Sequence, residues 1–367
     1  MKLAMFADLH LDASFANLGD AGRRRRDNIR STLTRILETA AAERVDAILC
    51  GGDLYEHERS GQDTLRFLER TFASVDVPVL VAPGNHDWFG PASLYARGEW
   101  SPNVHVFEEA RLTPFELADG LTLWGAAHRA PAGTPGFLEG FSAPDSGVHI
   151  GLFHGAALGG IATEDRDHAG RPKAGHAPFR PEAVAESGLK FAFVGHYHRA
   201  RDEATFLYPG NPDPLSFGER ENAGLVIAEV GGDGKVAVSR ISVATSRVAD
   251  VELDVTGLTD ATALANRGRE LLASLEGSVR LTVVGEIDPA LELDLTALGT
   301  LGPDLDALQV VSGALIPSYD LESLAEEQSI RGEFVRRVRN AGLDEAESRE
   351  VLLVGLRALE GHPLGEP

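Results

Sequence analysis

The sequence predicts an α/β fold with a site at the carboxyl ends of its strands. Two observations predict it. Over the first 210 residues, apolar runs of strand length alternate with stretches of helical periodicity. Beyond those runs stand five short blocks rich in Asp, Asn and His: Asp8-Leu9-His10, Gly51-Gly52-Asp53, Gly84-Asn85-His86-Asp87, His154-Gly155 and Gly195-His196-Tyr197-His198. Four of the five directly follow an apolar run, and open α/β sheets gather their ligands outside the carboxyl ends of the strands.

In chain order, Lys2–Ala7 reads as a strand and Arg24–Glu43 as a long helix, with Ile29, Leu33, Ile36, Leu37 and Ala40 on one face. The run Arg23-Arg24-Arg25-Arg26 reads as the solvated start of that helix. Val45–Cys50 is a strand, Asp63–Phe72 a helix and Val77–Ala82 a strand, which Pro83-Gly84 ends sharply. Short strands follow at Val104–Phe107, Leu112–Leu117 and Leu121–Trp124. Ala130–Ser146 is a Pro- and Gly-rich loop. Val148–Phe153 and Phe191–Val194 are strands, and residues 155–179 between them form a long loop of the kind that serves a site. Leu225–Val230 and Val236–Ile241 flank Gly231-Gly232-Asp233-Gly234, a hairpin pattern. Near 245 a smaller unit begins: a strand at Asp250–Val255, a helix at Ala261–Leu275, and strands at Val279–Val284 and Ala307–Val311. Two amphipathic helices close the chain, Ile330–Ala341 and Glu345–Leu359, the second capped by Asp344. The expected domains are 1–244, 245–320 and 321–367.

Composition narrows the class. At 367 residues, 43% hydrophobic and with a mean hydropathy of −0.10, the chain holds a sizeable core and is not disordered. No stretch nears eighteen apolar residues, so no membrane span is expected. Asp8 ends the first apolar run too soon for a signal peptide. The single cysteine, Cys50, excludes an internal disulfide and reads as buried; a reducing cytoplasmic location is expected. The net charge is −22, and residues 251–367, with 22 acidic and 9 basic side chains, carry −13 of it. Such acidity weighs against nucleic-acid binding without excluding it, because the local field at a cleft decides what it attracts.

Asp8, His10, Asp53, Asn85, His154, His196 and His198 read together as one metal site. Their oxygen and nitrogen donors suit two divalent cations sharing one carboxylate, and such pairs do phosphoryl chemistry. Asp-x-His after a strand would put both side chains on one side of an extended segment. Gly-Gly-Asp turns tightly and presents Asp53 alone. Asn85 offers a neutral amide oxygen. His86 cannot easily chelate the ion Asn85 holds and is free to face a substrate, with Asp87 placed to accept its hydrogen bond and favour its protonated form. Histidines with carboxylates suit Mn or Fe, with Zn an alternative and Mg less suited. His57, His105, His128, His149, His168, His176 and His362 read as surface or packing residues, although His168 and His176 in the long loop could touch substrate.

These blocks resemble those of the calcineurin-like metallophosphoesterases. The resemblance implies a four-layer fold, a β-sandwich of mixed sheets flanked by helices, with a small α/β capping domain and C-terminal helices after it. It also implies that Asp8, His10, Asp53 and His198 hold one metal, that Asp53, Asn85, His154 and His196 hold the other, and that His86 and Asp87 act at the scissile phosphate. Tyr208-Pro209-Gly210-Asn211-Pro212, followed by Ser216-Phe217-Gly218-Glu219, is similar to a stretch of SbcD-type DNA repair nucleases. Residues 329–335 resemble the shorter YhaO-like relatives. That resemblance implies a DNA nuclease of double-strand-break repair, a homodimer working with an SbcC-like coiled-coil ATPase, and the donor set favours Mn as its metal. A small-substrate phosphodiesterase of cyclic-nucleotide type and a non-catalytic scaffold for the ATPase are the rival readings. The sequence departs from the branch at two places. Break-repair nucleases usually carry His three residues after the shared Asp, where this chain has Glu56, with His57 next; and Asn211 stands where Ser is usual.

Overall fold

The computed structural model describes residues 1–19, 21–159, 175–219, 224–258, 260–287 and 294–359. The chain divides into two compact units, 1–249 and 250–367. The first contains β1 (Lys2–Phe6), α1 (Ala21–Ala42), β2 (Ala47–Cys50), α2 (Gln62–Phe72), β3 (Val79–Val81), α3 (Leu94–Arg97), β4 (Val104–Val106), β5 (Thr113–Ala118), β6 (Leu121–Gly125), β7 (Val148–His154), α4 (Pro181–Glu186), β8 (Phe191–Gly195), β9 (Arg201–Asp202), β10 (Phe206–Tyr208), β11 (Leu225–Val230) and β12 (Val236–Ile241).

These strands form two six-stranded sheets, ordered β12-β11-β1-β2-β3-β4 and β5-β6-β7-β8-β10-β9. Both are mixed. β1 to β4 run parallel, β11 pairs antiparallel with β1, and β12 pairs antiparallel with β11. β6, β7, β8 and β10 run parallel between antiparallel edges β5 and β9. The inner strands β1, β2 and β3 of the first sheet are buried on both faces, and alternation assigns each side chain a layer. Leu3, Met5, Ala47, Leu49 and Leu80 meet Leu123, Ile150, Leu152, Phe193 and Leu207 in the interior of the sandwich. The intervening Ala4, Phe6, Ile48, Cys50, Val79 and Val81 face outward and are covered by Ile29, Leu33, Ile36 and Leu37 of α1 and Leu65, Leu68 and Phe72 of α2. On the other side Phe153, Val194, Phe206 and Tyr208 pack under Phe137, Phe179 and Val184. The result is four layers. Cys50 is fully buried, and burial pushes its thiol pKa up.

α1 starts at Ala21, earlier than its apolar stripe, and the arginine run is not uniformly solvated. Arg25 is buried: its guanidinium lies 3.5 Å from Asp213, stacks on Phe15 and donates to the Pro214 carbonyl. Arg23 and Arg24 are exposed, as expected. α3, α4, β9 and β10 span two to six residues, too few for either period to register.

The second unit follows from β13 (Val248–Asp254), with α5 (Ala261–Leu272), β14 (Ser278–Ile287), α6 (Leu295–Leu298), β15 (Ala307–Pro317), α7 (Leu321–Glu326), α8 (Ile330–Arg339) and α9 (Glu345–Leu359). It spans both later segments expected from the sequence. Its sheet, ordered β13-β14-β15, shares a core with α5 through Leu253, Val255, Leu264, Leu281 and Val283. α7, α8 and α9 form another, from Leu324, Val335, Val338, Leu352 and Leu356. Asp344 does cap α9, accepting from the Glu347 amide at 2.8 Å while the Glu347 carboxylate accepts from the Asp344 amide at 3.2 Å.

Candidate metal centre

All five blocks stand at or just beyond the carboxyl ends of β1, β2, β3, β7 and β8, so both sheets deliver ligands to one end of the sandwich. The sheets come together there because of small residues. A Cβ on Gly195 would overlap the Gly51 carbonyl oxygen, and Gly52 takes φ +91°. The backbone leaves the strands in turns. Asp8 (φ 58°), His10 (φ 51°), Asp53 (φ 51°) and His196 (φ 122°) adopt left-handed conformations that side chains other than glycine rarely take. The extended Asp-x-His segment expected from the sequence is therefore replaced by a coiled one. It is held by amides of Asp8 and His10 donating to the Gly52 and Asp53 carbonyls at 3.0 and 2.9 Å.

Six of the seven proposed ligands converge, and the seventh, Asn85, precedes His86 in the loop after β3. Ligand atoms of Asp8, His10 and His198 all lie within 4.8 Å of one another, and so do those of Asp8, Asp53 and His154. Asp53 sits between the groups: Oδ2 lies 3.7 Å from His10 Nε2 and 3.3 Å from His154 Nε2, while Oδ1 accepts the His86 amide at 2.8 Å. His154 Nε2 approaches His196 Nδ1 at 3.1 Å. Both Asp8 oxygens accept the His196 amide at 3.1 Å. Among the described residues, His10 Nε2 and Asn85 Oδ1 are buried without a hydrogen-bond partner. Unpaired buried polar atoms are costly. Here they belong to an imidazole and an amide beside carboxylates, the donor set of a divalent cation. The residues therefore fit such ions.

An outer ring orients these ligands. His154 Nδ1 donates to the Gly51 carbonyl at 2.9 Å, which turns Nε2 inward. His198 Nδ1 meets Glu219 Oε1 at 3.2 Å, and Glu219 is itself held by Asn211 (2.6 Å), Ser216 (3.0 Å) and the Leu215 amide (2.8 Å). Glu56 grips two rings, His10 Nδ1 at 2.7 Å and His86 Nδ1 at 3.0 Å. Burial opposes ionisation of Glu56 and Glu219, yet their histidine partners hold both well below the usual carboxylate range. Asp53 is likewise buried but held low by His154 and His86.

His86 is the half-exposed member, with 42% of its side chain open. Burial disfavours its charge, but Asp53 and the Glu56 hydrogen bond prevail and raise its pKa to about 9. Its hydrogen-bond partner is Glu56, not Asp87 as expected. Asp87 is fully buried and accepts from the amides of Asp53 (3.0 Å), Leu54 (2.7 Å) and Gly84 (2.6 Å) and from the Tyr95 hydroxyl (2.5 Å). Those donors occupy its oxygens, so it joins the loops after β2 and β3 and reaches His86 only through its charge. Burial and Asp53 raise its pKa to about 6.

Of the remaining histidines, His128 is a packing residue, fully buried beside His154, bonded to its carbonyl at 2.8 Å and pushed by burial to about 3. His149 is buried, while His57, His105 and His176 are half-buried, and the His176 ring lies 5.4 Å from that of His196. His168 and His362 lie outside the described residues. Sequence reasoning gave Glu56 and Glu219 no role. The signals were there, a carboxylate three residues after Asp53 and one ending the Phe-Gly-Glu stretch.

A family model described as calcineurin-like phosphoesterase matches residues 1–200. The metallophosphoesterase YhaO of Bacillus subtilis (strain 168), itself uncharacterized, is 28% identical over 341 residues, covering 83% of this chain and 76% of its own. Two proteins named DNA double-strand break repair protein Mre11 are also similar. That of Aeropyrum pernix is 27% identical, covering 76% of this chain and 69% of its own. That of Methanopyrus kandleri is 25% identical, covering 70% and 60%.

Proposed function

The chain belongs to the calcineurin-like phosphoesterase family, and from that premise we propose that it is a two-metal phosphodiesterase acting on DNA. The observation that carries the reading is the convergence of Asp8, His10, Asp53, His154, His196 and His198, with two buried, unpaired donor atoms, His10 Nε2 and Asn85 Oδ1, in the proposed ligand set. Asp8, His10, Asp53 and His198 would hold one ion, and Asp53, Asn85, His154 and His196 the other; Asp8, which also neighbours Asp53 and His154, would help fix the second. Divalent ions, with Mn favoured by this donor set and Fe or Zn as alternatives, supply positive charge to the phosphate oxygens and acidify a water. The chain's own part is orientation and charge. Glu56 takes His86 Nδ1, which leaves Nε2 as the nitrogen that meets a phosphate oxygen or leaving group. Asp87 keeps the Gly84 and Asp53 backbones together so that His86 stays beside the ligands.

DNA as substrate is supported by the two relatives named for double-strand break repair and by the Tyr208–Glu219 stretch, whose Glu219 supports His198. An SbcC-like coiled-coil ATPase and a second copy of the chain are the partners the resemblance implies. Exposed Ile330 on α8 and Val351, Val354 and Leu359 on α9 offer apolar surface for docking the former. Among the described residues no helix is long and apolar enough to cross a membrane. A small-substrate phosphodiesterase is the second reading, favoured by the net charge of −22. The test is Mn-loaded protein on end-labelled duplex and single-stranded DNA beside His86→Gln. The variant should bind two ions and lose most hydrolysis. Full activity in it would remove His86 from the reaction. Hydrolysis of a generic diester without DNA cleavage would favour the second reading or an obligatory ATPase.

A further inference from the structure

Beside the centre, three rings lie in nearly parallel planes. Tyr55 and His57 differ by 21°, with centroids 6.5 Å apart, and His57 and Trp88 by 22° at 3.9 Å. Tyr55 is fully buried and fixed by the Leu94 amide, which donates to its hydroxyl at 3.0 Å. His57 and Trp88 are half-buried, so the planes pass from core to surface. The stack is tied to the centre through the backbone. The His57 amide donates to the His86 carbonyl at 2.9 Å, and Trp88 follows His86 by two residues on a loop pinned by the Phe89 amide bonding to the His128 carbonyl at 2.8 Å. Phe89 in turn carries the guanidinium of exposed Arg129, 5.1 Å from its ring centroid. Among the described residues the Trp88 ring meets no aromatic ring other than His57.

An indole stacked on a neighbouring ring, in a loop tied by backbone hydrogen bonds, offers a large π-face, and nucleobases stack on such faces with little regard to sequence. The geometry points to His57 and Trp88 as a stacking shelf for the nucleobase of the nucleotide adjoining the scissile phosphate. The shelf rests on the phosphodiesterase reading of the centre, and the base belongs either to a polynucleotide or to a mononucleotide diester. Its position answers a need of the site. The ligands and His86 recognise only phosphate, which every diester shares, whereas a ring face anchored to the His86 carbonyl selects diesters that bear a base. The exposed cation on Arg129 suits the next phosphate of a longer chain.

The test compares steady-state hydrolysis by the full-length, metal-loaded protein of a short single-stranded oligonucleotide, the same oligonucleotide with an abasic residue at the scissile position, and a cyclic nucleotide. Tryptophan fluorescence of the metal-loaded His86→Gln protein, with the Trp88 variants made in the same background, reports binding without turnover. The base-bearing oligonucleotide or the cyclic nucleotide, whichever is the substrate, should quench the fluorescence, and Trp88→Phe should abolish the quench. The KM of the abasic oligonucleotide should exceed that of its base-bearing counterpart by roughly 5- to 150-fold. Trp88→Ala, shown folded by an unchanged melting temperature, should erase that gap, and Trp88→Phe should retain most of it. Cleavage of the oligonucleotide alone assigns the base to a polynucleotide. Cleavage of the cyclic nucleotide alone assigns it to a mononucleotide, and the quench and its loss in Trp88→Phe then carry the test. Equal KM values for the two oligonucleotides, a gap that survives Trp88→Ala, or a quench that survives Trp88→Phe overturns the shelf and leaves the phosphodiesterase standing. Hydrolysis of a generic phosphodiester but of none of the three overturns the shelf and leaves the phosphodiesterase standing. Hydrolysis of neither that diester nor any of the three by the wild-type protein overturns the reading of the centre, and the shelf falls with it.

Discussion

The His154 ring is engaged at both nitrogens. Nδ1 donates to the Gly51 carbonyl, and Nε2 faces Asp53 and His196. Burial opposes its charge, but Asp53, Asp8 and the carbonyl prevail, and its pKa rises from 6.5 to about 9, as does that of His86. Both shifts belong to the metal-free protein. A folded-state pKa above the unfolded value gives stability that is complete below about pH 6.5 and is lost as pH rises through about 9. A ligand must also surrender its proton to a metal. Metal loading near neutral pH should therefore release protons, and metal affinity should climb between pH 6.5 and 9. Calorimetry in buffers of different ionisation enthalpy reads both; loading without proton release contradicts the His154 assignment. Glu219 allows a second test at this scale. Glu219→Gln preserves the hydrogen-bonding capacity toward Ser216 and the Leu215 amide while removing the charge that supports His198. It should weaken metal binding about 10- to 100-fold. Competition with a chelator measures it, and wild-type affinity would leave Glu219 with only a loop to hold.

At the scale of elements, the ends of β1, β2, β3, β7 and β8 do the positioning, and closeness is what they need. Gly195→Ala would push a methyl group against the Gly51 carbonyl. Overpacking of this kind costs about 1–3 kcal/mol. The melting temperature of the first unit should fall by several degrees, on the order of 2–4 °C per kcal/mol, with weaker metal retention; an unchanged melting temperature would mean the sheets can part without loss. The strands that carry the ligands were legible because each is a short apolar run followed by a polar block. The assignment of strands to two mixed sheets was not, because period-2 alternation names faces, not neighbours. Asp87 was misread for a related reason. Adjacency in sequence suggested His86 as its partner, but three backbone amides and the Tyr95 hydroxyl surround it in space. The left-handed turns at Asp8 and His10 were hidden too, since neither residue is a glycine. Glu219 lies 21 positions from His198, beyond the reach of local pattern.

For the whole molecule, charge and metal belong to one question. The segment 251–367 carries −13 of the −22, which leaves −9 on residues 1–250. Asp8, Asp53, Glu56 and Glu219 stand at the centre itself, so a phosphate diester approaching the metal-free protein meets a carboxylate-lined site. Bound divalent ions reverse the local sign, and the field at the cleft governs which ligand enters. Everything proposed for this chain therefore rests on two ions at the ends of five strands. Elemental analysis of the purified protein after loading and desalting, beside Asp53→Asn, tests that most directly. The account expects two ions per chain in the wild-type protein and a loss of metal in the variant, because Asp53 stands between both groups of ligands. Two ions still bound to Asp53→Asn would contradict the shared carboxylate on which the centre is built.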